Sequence, residues 1–231
     1  MSAIMNINQT VPVITVDGPG GSGKGTVGHR LAKALNWHFL DSGALYRVLA
    51  LAAQRHVLAF DNEPALEDLA KQLEVQFIGV DEDSTSRIIL EGTEVTEAVR
   101  TEECGNIASK VSAFLGVRKA LLARQRDFQI APGLIADGRD MGTVVFPDAP
   151  LKVFLLASPE ERAARRYRQL MQKGINVSLA QIQDELRERD IRDKTRAVSP
   201  LKPAEDALLI DTDGVGVDAI VEQVLLAWRA R

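Results

Sequence analysis

Nine consecutive residues, Gly18-Pro19-Gly20-Gly21-Ser22-Gly23-Lys24-Gly25-Thr26, carry the strongest chemical signal in the chain. Glycines in that density let the backbone turn tightly, so that successive N–H groups converge on a phosphate. Lys24 adds a full positive charge beside phosphates in transfer. Gly18, Gly23 and Lys24 match the pattern G-x-x-x-x-G-K-[ST], but Gly25 takes the hydroxyl position and Thr26 follows it. Two further stretches hold groups suited to a second anion. In Asp41-Ser-Gly-Ala-Leu-Tyr-Arg47, Ser42 would open a helix, Arg47 could grip a phosphate with two parallel hydrogen bonds, and Tyr46 could stack on or edge a base. Asp41 and Ser42 also suit a plain helix cap, a reading compatible with phosphate contact. In Ala136-Asp-Gly-Arg-Asp-Met-Gly-Thr143, Asp137 is placed to orient the waters of Mg²⁺, with Thr26 as the other candidate. Arg139 and Asp140 supply a cation and an acceptor; the plainer reading is a surface turn with a local ion pair.

These groups need elements to hold them. Val11–Val16 is β-branched and precedes the glycine loop, and Lys24–Leu35 has Val27, Leu31, Ala34 and Leu35 at helical spacing. Strands are expected at Trp37–Leu40, Gly133–Asp137, Leu151–Leu156 and Ala207–Asp211, with helices over Ala44–Gln54 and Val217–Trp228. Short apolar runs separated by helices predict an α/β fold: a parallel sheet covered on both faces, with ligands gathered beyond the carboxyl ends of its strands.

Charge is distributed unevenly along the chain. Residues 57–100 hold 11 acidic residues against Lys71, Arg87 and Arg100. Within them Val75–Val80, Arg87–Glu91 and Glu94–Thr96 resemble short strands after a helix near Pro64–Leu73, which predicts a small antiparallel insertion. Residues 158–196 hold ten Lys or Arg and seven Asp or Glu, whereas the whole chain has a net charge of −4. Arg189, Asp193 and Arg196 follow i, i+4, i+7 spacing and are expected on one helix face. The bland alternative is a solvated helix of mixed charge, and Arg168, Arg187, Arg192 and Lys194 receive no role.

The chain has 231 residues, 45% hydrophobic and 26% charged, enough to bury a core without staples. Cys104 is the lone cysteine, which excludes an intrachain disulfide and fits a reducing compartment. The first residues lack a secretion-signal pattern, and no run approaches 18 uninterrupted apolar residues; a cytoplasmic protein with no membrane contact is expected. Net acidity and 5% aromatic content argue against stable nucleic-acid binding. His29, His38 and His56 share no metal-ligand spacing with one another or with Cys104. No N-K-x-D segment is present to read guanine.

The ending Gly-Lys-Gly-Thr of the loop resembles nucleoside monophosphate kinases. Together with Asp41–Arg47, Ala136–Thr143, Ile107–Phe114, Val117-Arg118, Leu121–Arg126, Arg189–Arg196 and Ala197–Pro203, the sequence resembles bacterial cytidylate kinases from about Pro12 to the C-terminal helix. The resemblance implies a P-loop NTPase-like core (11–56, 101–157, 197–231), an enlarged monophosphate-binding insertion (57–100) and a helical lid (158–196). It implies a monomer that transfers the γ-phosphoryl of MgATP to CMP or dCMP. It places Ser109, Arg118 and Asp140 on cytosine, Asp193 and Arg196 on the sugar hydroxyls, and Ser42, Arg47, Arg139 and Arg189 on the acceptor phosphate. Arg162, Arg165 and Arg166 would be lid arginines closing over ATP. Two rival readings remain: a P-loop kinase for another monophosphate or metabolite, and a nucleotide-dependent switch or nucleic-acid-binding module.

Overall fold

The computed structural model describes residues 11–78, 87–172 and 174–231. In chain order, β1 (Val13–Asp17) leads through the glycine loop into α1 (Lys24–Leu35), then β2 (His38–Asp41) and α2 (Ser42–Arg55). An excursion follows: α3 (Glu63–Lys71), β3 (Val75–Ile78), β4 (Arg87–Leu90) and β5 (Thr93–Glu94). The helices α4 (Glu102–Val111) and α5 (Leu115–Arg126) return the chain to β6 (Leu134–Gly138) and β7 (Leu151–Leu156). The pair α6 (Pro159–Gln172) and α7 (Leu179–Thr195) precedes β8 (Leu208–Asp211) and α8 (Val217–Arg229).

The main sheet is parallel throughout, in the order β2-β6-β1-β7-β8. Successive side chains of a strand alternate between faces, and the core divides accordingly. Ile14 and Val16 of β1 join Val153, Leu155, Val27, Leu31 and Ile220 beneath α1 and α8. Val13 packs on the other side with Leu40, Leu45, Leu134 and Met141. Burial on both faces explains why these strands read as unbroken apolar runs. A third cluster, containing Leu49, Leu66, Leu90 and Leu121, ties α2, α3 and α5 to the small antiparallel sheet β3-β4-β5. Ala163, Leu170 and Ile182 hold α6 against α7.

Several boundaries differ from expectation. Helix α2 begins at Ser42 rather than Ala44, because Asp41 caps it by accepting from the Ala44 amide at 3.1 Å. The third strand of the insertion is Thr93–Glu94, since Gly92 turns the chain at φ +75° and pairs Thr93 with Leu90; Val95 and Thr96 lie beyond it. The strand expected at Val75–Val80 is present over Val75–Ile78, and its last two residues lie outside the described residues. Arg196 is not on the helix with Arg189 and Asp193: α7 ends at Thr195, and Arg196 is extended at φ −58°, ψ 138°. No helix among the described residues is long and apolar enough to cross a membrane.

Candidate active site

Strands β1, β2 and β6 end side by side, which brings Asp17, Asp41 and Asp137–Gly138 to one edge of the sheet. The glycine loop leaves β1 there. Gly18 has φ +151°, and a Cβ on it would lie 2.5 Å from the Leu155 carbonyl oxygen, a backbone atom that cannot move aside. Gly23, in the left-handed region at φ +92°, turns the chain into α1 with no side chain capping the helix. The first amides of α1 thus remain available to an anion, with the helix dipole behind them. Lys24 is 6% exposed, and its Nζ donates to the Pro19 carbonyl at 2.8 Å. Burial, then the nearby Arg139 guanidinium, lowers its pKa to about 7.

A cleft of about 1380 Å³ runs from this loop past the start of α2 to α4, α5 and α7. Beside Lys24, Arg139 donates from Nε to Asp193 Oδ2 at 2.9 Å and from Nη1 to the Gly138 carbonyl at 3.2 Å. Arg189 points into the same region with its buried Nε unpaired; burial and the neighbouring Arg139 lower its pKa to about 9. Arg47 Nη1 donates to the Val99 carbonyl at 3.0 Å, and Ser42 opens α2 on the cleft wall. Four buried or half-buried cations, Lys24, Arg47, Arg139 and Arg189, thus converge beside the carboxylates of Asp137 and Asp193. Such an arrangement is costly for the protein alone and is relieved by a phosphate.

The far end of the cleft is built differently. Arg118 forms a buried ion pair with Asp140, donates from Nη1 to the Ser112 carbonyl at 3.1 Å, and lies 5.6 Å from the centre of the Tyr46 ring. Arg196 Nη2 stands 3.8 Å from the other Asp140 oxygen and makes no hydrogen bond, while its Nε donates to the Ser199 carbonyl at 2.7 Å. Ser109 Oγ accepts from Arg192 Nε at 3.3 Å. Serine and the two flanking charges therefore meet at one wall. Tyr46 backs the Arg118 guanidinium, with its hydroxyl buried and unpaired. Arg192 received no role from the sequence, where it is one of ten Lys or Arg over residues 158–196.

Two supporting acids were equally hidden. Asp17 accepts from the amides of Met141 at 2.9 Å and Gly142 at 2.8 Å, which fixes the turn carrying Arg139 and Asp140; burial raises its pKa to about 6. Asp190 pairs with Arg162. Arg162, expected among the lid arginines, is 2% exposed, lies outside the cleft lining, and gives its guanidinium to Asp190 and the Gly20 carbonyl of the phosphate loop. Arg165 and Arg166 do line the cleft. Arg165 donates to Thr212 Oγ1 at 2.9 Å and to Glu161 at 2.8 Å, and Arg166 pairs with Glu102 of α4.

No group of three metal-binding side chains occurs among the described residues. The oxygen donors near the loop suit a cation that takes most of its ligands from phosphate and water. Asp137 Oδ2 lies 3.6 Å from where a Gly25 Cβ would be, so its carboxylate stands beside the position that lacks a hydroxyl. Burial raises the Asp137 pKa to about 7. The folded state thus holds this proton where the unfolded chain, at 3.8, has released it. Stability then falls as pH rises from about 4 to about 7. Asp137→Asn is expected to remove the Asp137 share of that slope, leaving the share of Asp17 below about pH 6, and to raise the thermal midpoint of the nucleotide-free protein at pH 8 while slowing turnover. Melts across pH 4–8 beside activity assays check both.

The model of the family described as "Cytidylate kinase" matches residues 14–230. The chain is 57% identical over 219 residues to the cytidylate kinase of Pseudomonas paraeruginosa, covering 95% of this chain and 96% of that one. It is 58% identical over the same length to that of Shewanella frigidimarina, with the same coverage. A solved structure of an uncharacterized protein from Eubacterium ventriosum superposes with a TM-score of 0.50 at 14% identity, covering 96% of this chain and 99% of that one; it speaks to fold alone.

Proposed function

The chain belongs to the cytidylate kinase family, and from that premise we propose a division of labour within its cleft for phosphoryl transfer from MgATP to CMP or dCMP. The observation that carries this reading is the convergence of Lys24, Arg139 and Arg189 between a glycine loop on one side and the Arg118–Asp140 wall on the other. Residues Gly18–Thr26 hold the donor phosphates. Ser42, Arg47, Arg139 and Arg189 hold the acceptor phosphate, so that one of its oxygens attacks the γ-phosphorus in line. Lys24 and the arginines neutralise charge as the phosphoryl group passes, and positioning does most of the work. Asp137 and Thr26 would hold Mg²⁺ through water, where it supplies charge neutralisation on the donor phosphates.

Asp140 accepts from the cytosine amino group, while Arg118 and Ser109 donate to its ring acceptors. Arg192 already donates to Ser109 Oγ, so the serine proton is free to point at the base. Asp193 and Arg196 reach the sugar. Arg165 and Arg166 close over the donor with α6 and exclude water, which protects ATP from hydrolysis.

A panel of acceptors in an ADP-release assay tests the reading. CMP and dCMP should outrun UMP and AMP by at least about tenfold in kcat/KM. UMP or AMP outrunning CMP overturns the base assignment. Slow turnover with every monophosphate, combined with salt-sensitive retention on RNA or DNA, overturns the kinase itself.

A further inference from the structure

One guanidinium joins three parts of the molecule. Arg162, in the first turn of α6, donates from Nη1 to Asp190 Oδ1 at 3.0 Å and from Nη2 to Asp190 Oδ2 at 2.5 Å. The same Nη1 donates to the Gly20 carbonyl of the phosphate loop at 3.1 Å. The side chains of Arg162 and Asp190 are 3% and 14% exposed. They line a separate groove between α6 and α7, not the nucleotide cleft. The contact with the loop is tight. A Cβ on Gly21 would come within 3.1 Å of Arg162 Cβ and 3.3 Å of its carbonyl oxygen. A Cβ on Gly20 would meet Arg139 at 3.6 Å, Leu186 at 3.8 Å and Arg189 at 4.0 Å. The glycines of the loop are therefore the points at which both helices rest on it.

We propose that Asp190 is a positioning residue for phosphoryl transfer: by fixing the Arg162 fork on the Gly20 carbonyl, it holds the donor cradle in register with the helix that presents Arg189 and Asp193 to the acceptor. A carboxylate that takes two guanidinium nitrogens defines both the plane and the direction of the arginine. With that plane fixed, the second N–H of Nη1 donates to one backbone carbonyl, that of Gly20. Arg189 precedes Asp190 in α7, so the seating of Asp190 also sets the seating of Arg189. A buried Arg162 without its partner would be an uncompensated charge and would swing away, releasing Gly20 and the flank of α7 together. Neither residue touches a nucleotide in this account. The effect falls on alignment, where a displacement of about 1 Å can cost roughly a hundredfold in rate.

The inference rests on the kinase reading above, so the parent chain is assayed alongside. Asp190→Asn keeps the shape of the side chain, but its amide nitrogen faces the guanidinium as a second donor. In the full chain, kcat for CMP at saturating ATP should fall about 10- to 100-fold, while Kd values for ATP and for CMP, each titrated separately, should change by less than about threefold. Asp190→Glu should restore part of the loss. Should Asp190→Asn fail to fold, Arg162→Lys keeps the charge without the fork and carries the same expectation. A kcat within about threefold of the parent, with only the thermal midpoint lowered, would make the pair purely structural and overturn the proposal. A loss of ATP affinity in Arg162→Lys with saturated kcat unchanged would overturn it too, by making Arg162 an ATP ligand. A parent without CMP-dependent turnover defeats the kinase reading; an active parent with an equally fast Asp190→Asn variant defeats this inference alone.

Discussion

Replacing Lys24 with methionine is expected to lower CMP-dependent ADP release by about a thousandfold while leaving the fold intact. The ammonium group is buried at the mouth of the loop, and burial together with Arg139 holds its pKa near 7 rather than 10.5. The protein maintains this charge at a cost, and only a bound phosphate returns it. Methionine has similar length and no charge, so it removes the transition-state contact together with the desolvation penalty. The sign of the stability change follows from linkage. Between about pH 7 and 10.5 the unfolded chain holds the Lys24 proton more firmly than the folded protein does, so stability rises with pH across that window. The methionine variant should lose that rise and melt no lower than the parent at pH 7. Thermal melts from pH 6 to 10, paired with single-turnover assays, separate the two effects. A variant that retains transfer within tenfold of the parent would remove Lys24 from the chemistry.

The second large effect is expected at Asp140. Cytosine presents an amino donor where uracil presents a carbonyl, and a carboxylate can only accept while ionised. In Asp140→Asn the side-chain amide can turn its NH₂ toward a carbonyl. Selectivity for CMP over UMP should then fall by about 30-fold or more, the scale of one hydrogen bond to a charged group. Asparagine is preferred to alanine because Asp140 also pairs with buried Arg118. Alanine would strand that guanidinium at a cost of about 3–5 kcal/mol and confuse specificity with unfolding. ATP affinity should be unchanged, since the loop lies at the other end of the cleft. Unaltered CMP preference in a folded Asp140→Asn protein would dismiss the base contact.

The sequence was most legible where a residue's role is local. The strand, glycine loop and helix from Val13 to Leu35 could be read directly, because β-branching, glycine density and helical spacing all act within a few residues. The alternation that predicts the parallel sheet is of the same kind, and the sheet is present. What escaped reading is set by contacts across long separations. Asp17 ends an ordinary strand, and nothing near it announces that its carboxylate will accept from Met141 and Gly142. Arg162, Arg165 and Arg166 looked alike as a cluster on one helix. Only the packing of α7 against α6 turns Arg162 onto Asp190 and leaves the other two facing the cleft. Arg196 fits a helical spacing that stops at Thr195; its extended backbone and its bond to Ser199 bring it to Asp140 by a different route.

The most direct test of the account is a crystal structure of the chain with CMP and a non-hydrolysable ATP analogue bound together. The account predicts the CMP phosphate between Arg139, Arg189 and Ser42, facing the γ-phosphate at the Lys24 end of the loop, with the cytosine ring against Asp140 and Arg118. A CMP phosphate lying away from Lys24, or a cytosine ring away from Asp140, would contradict it.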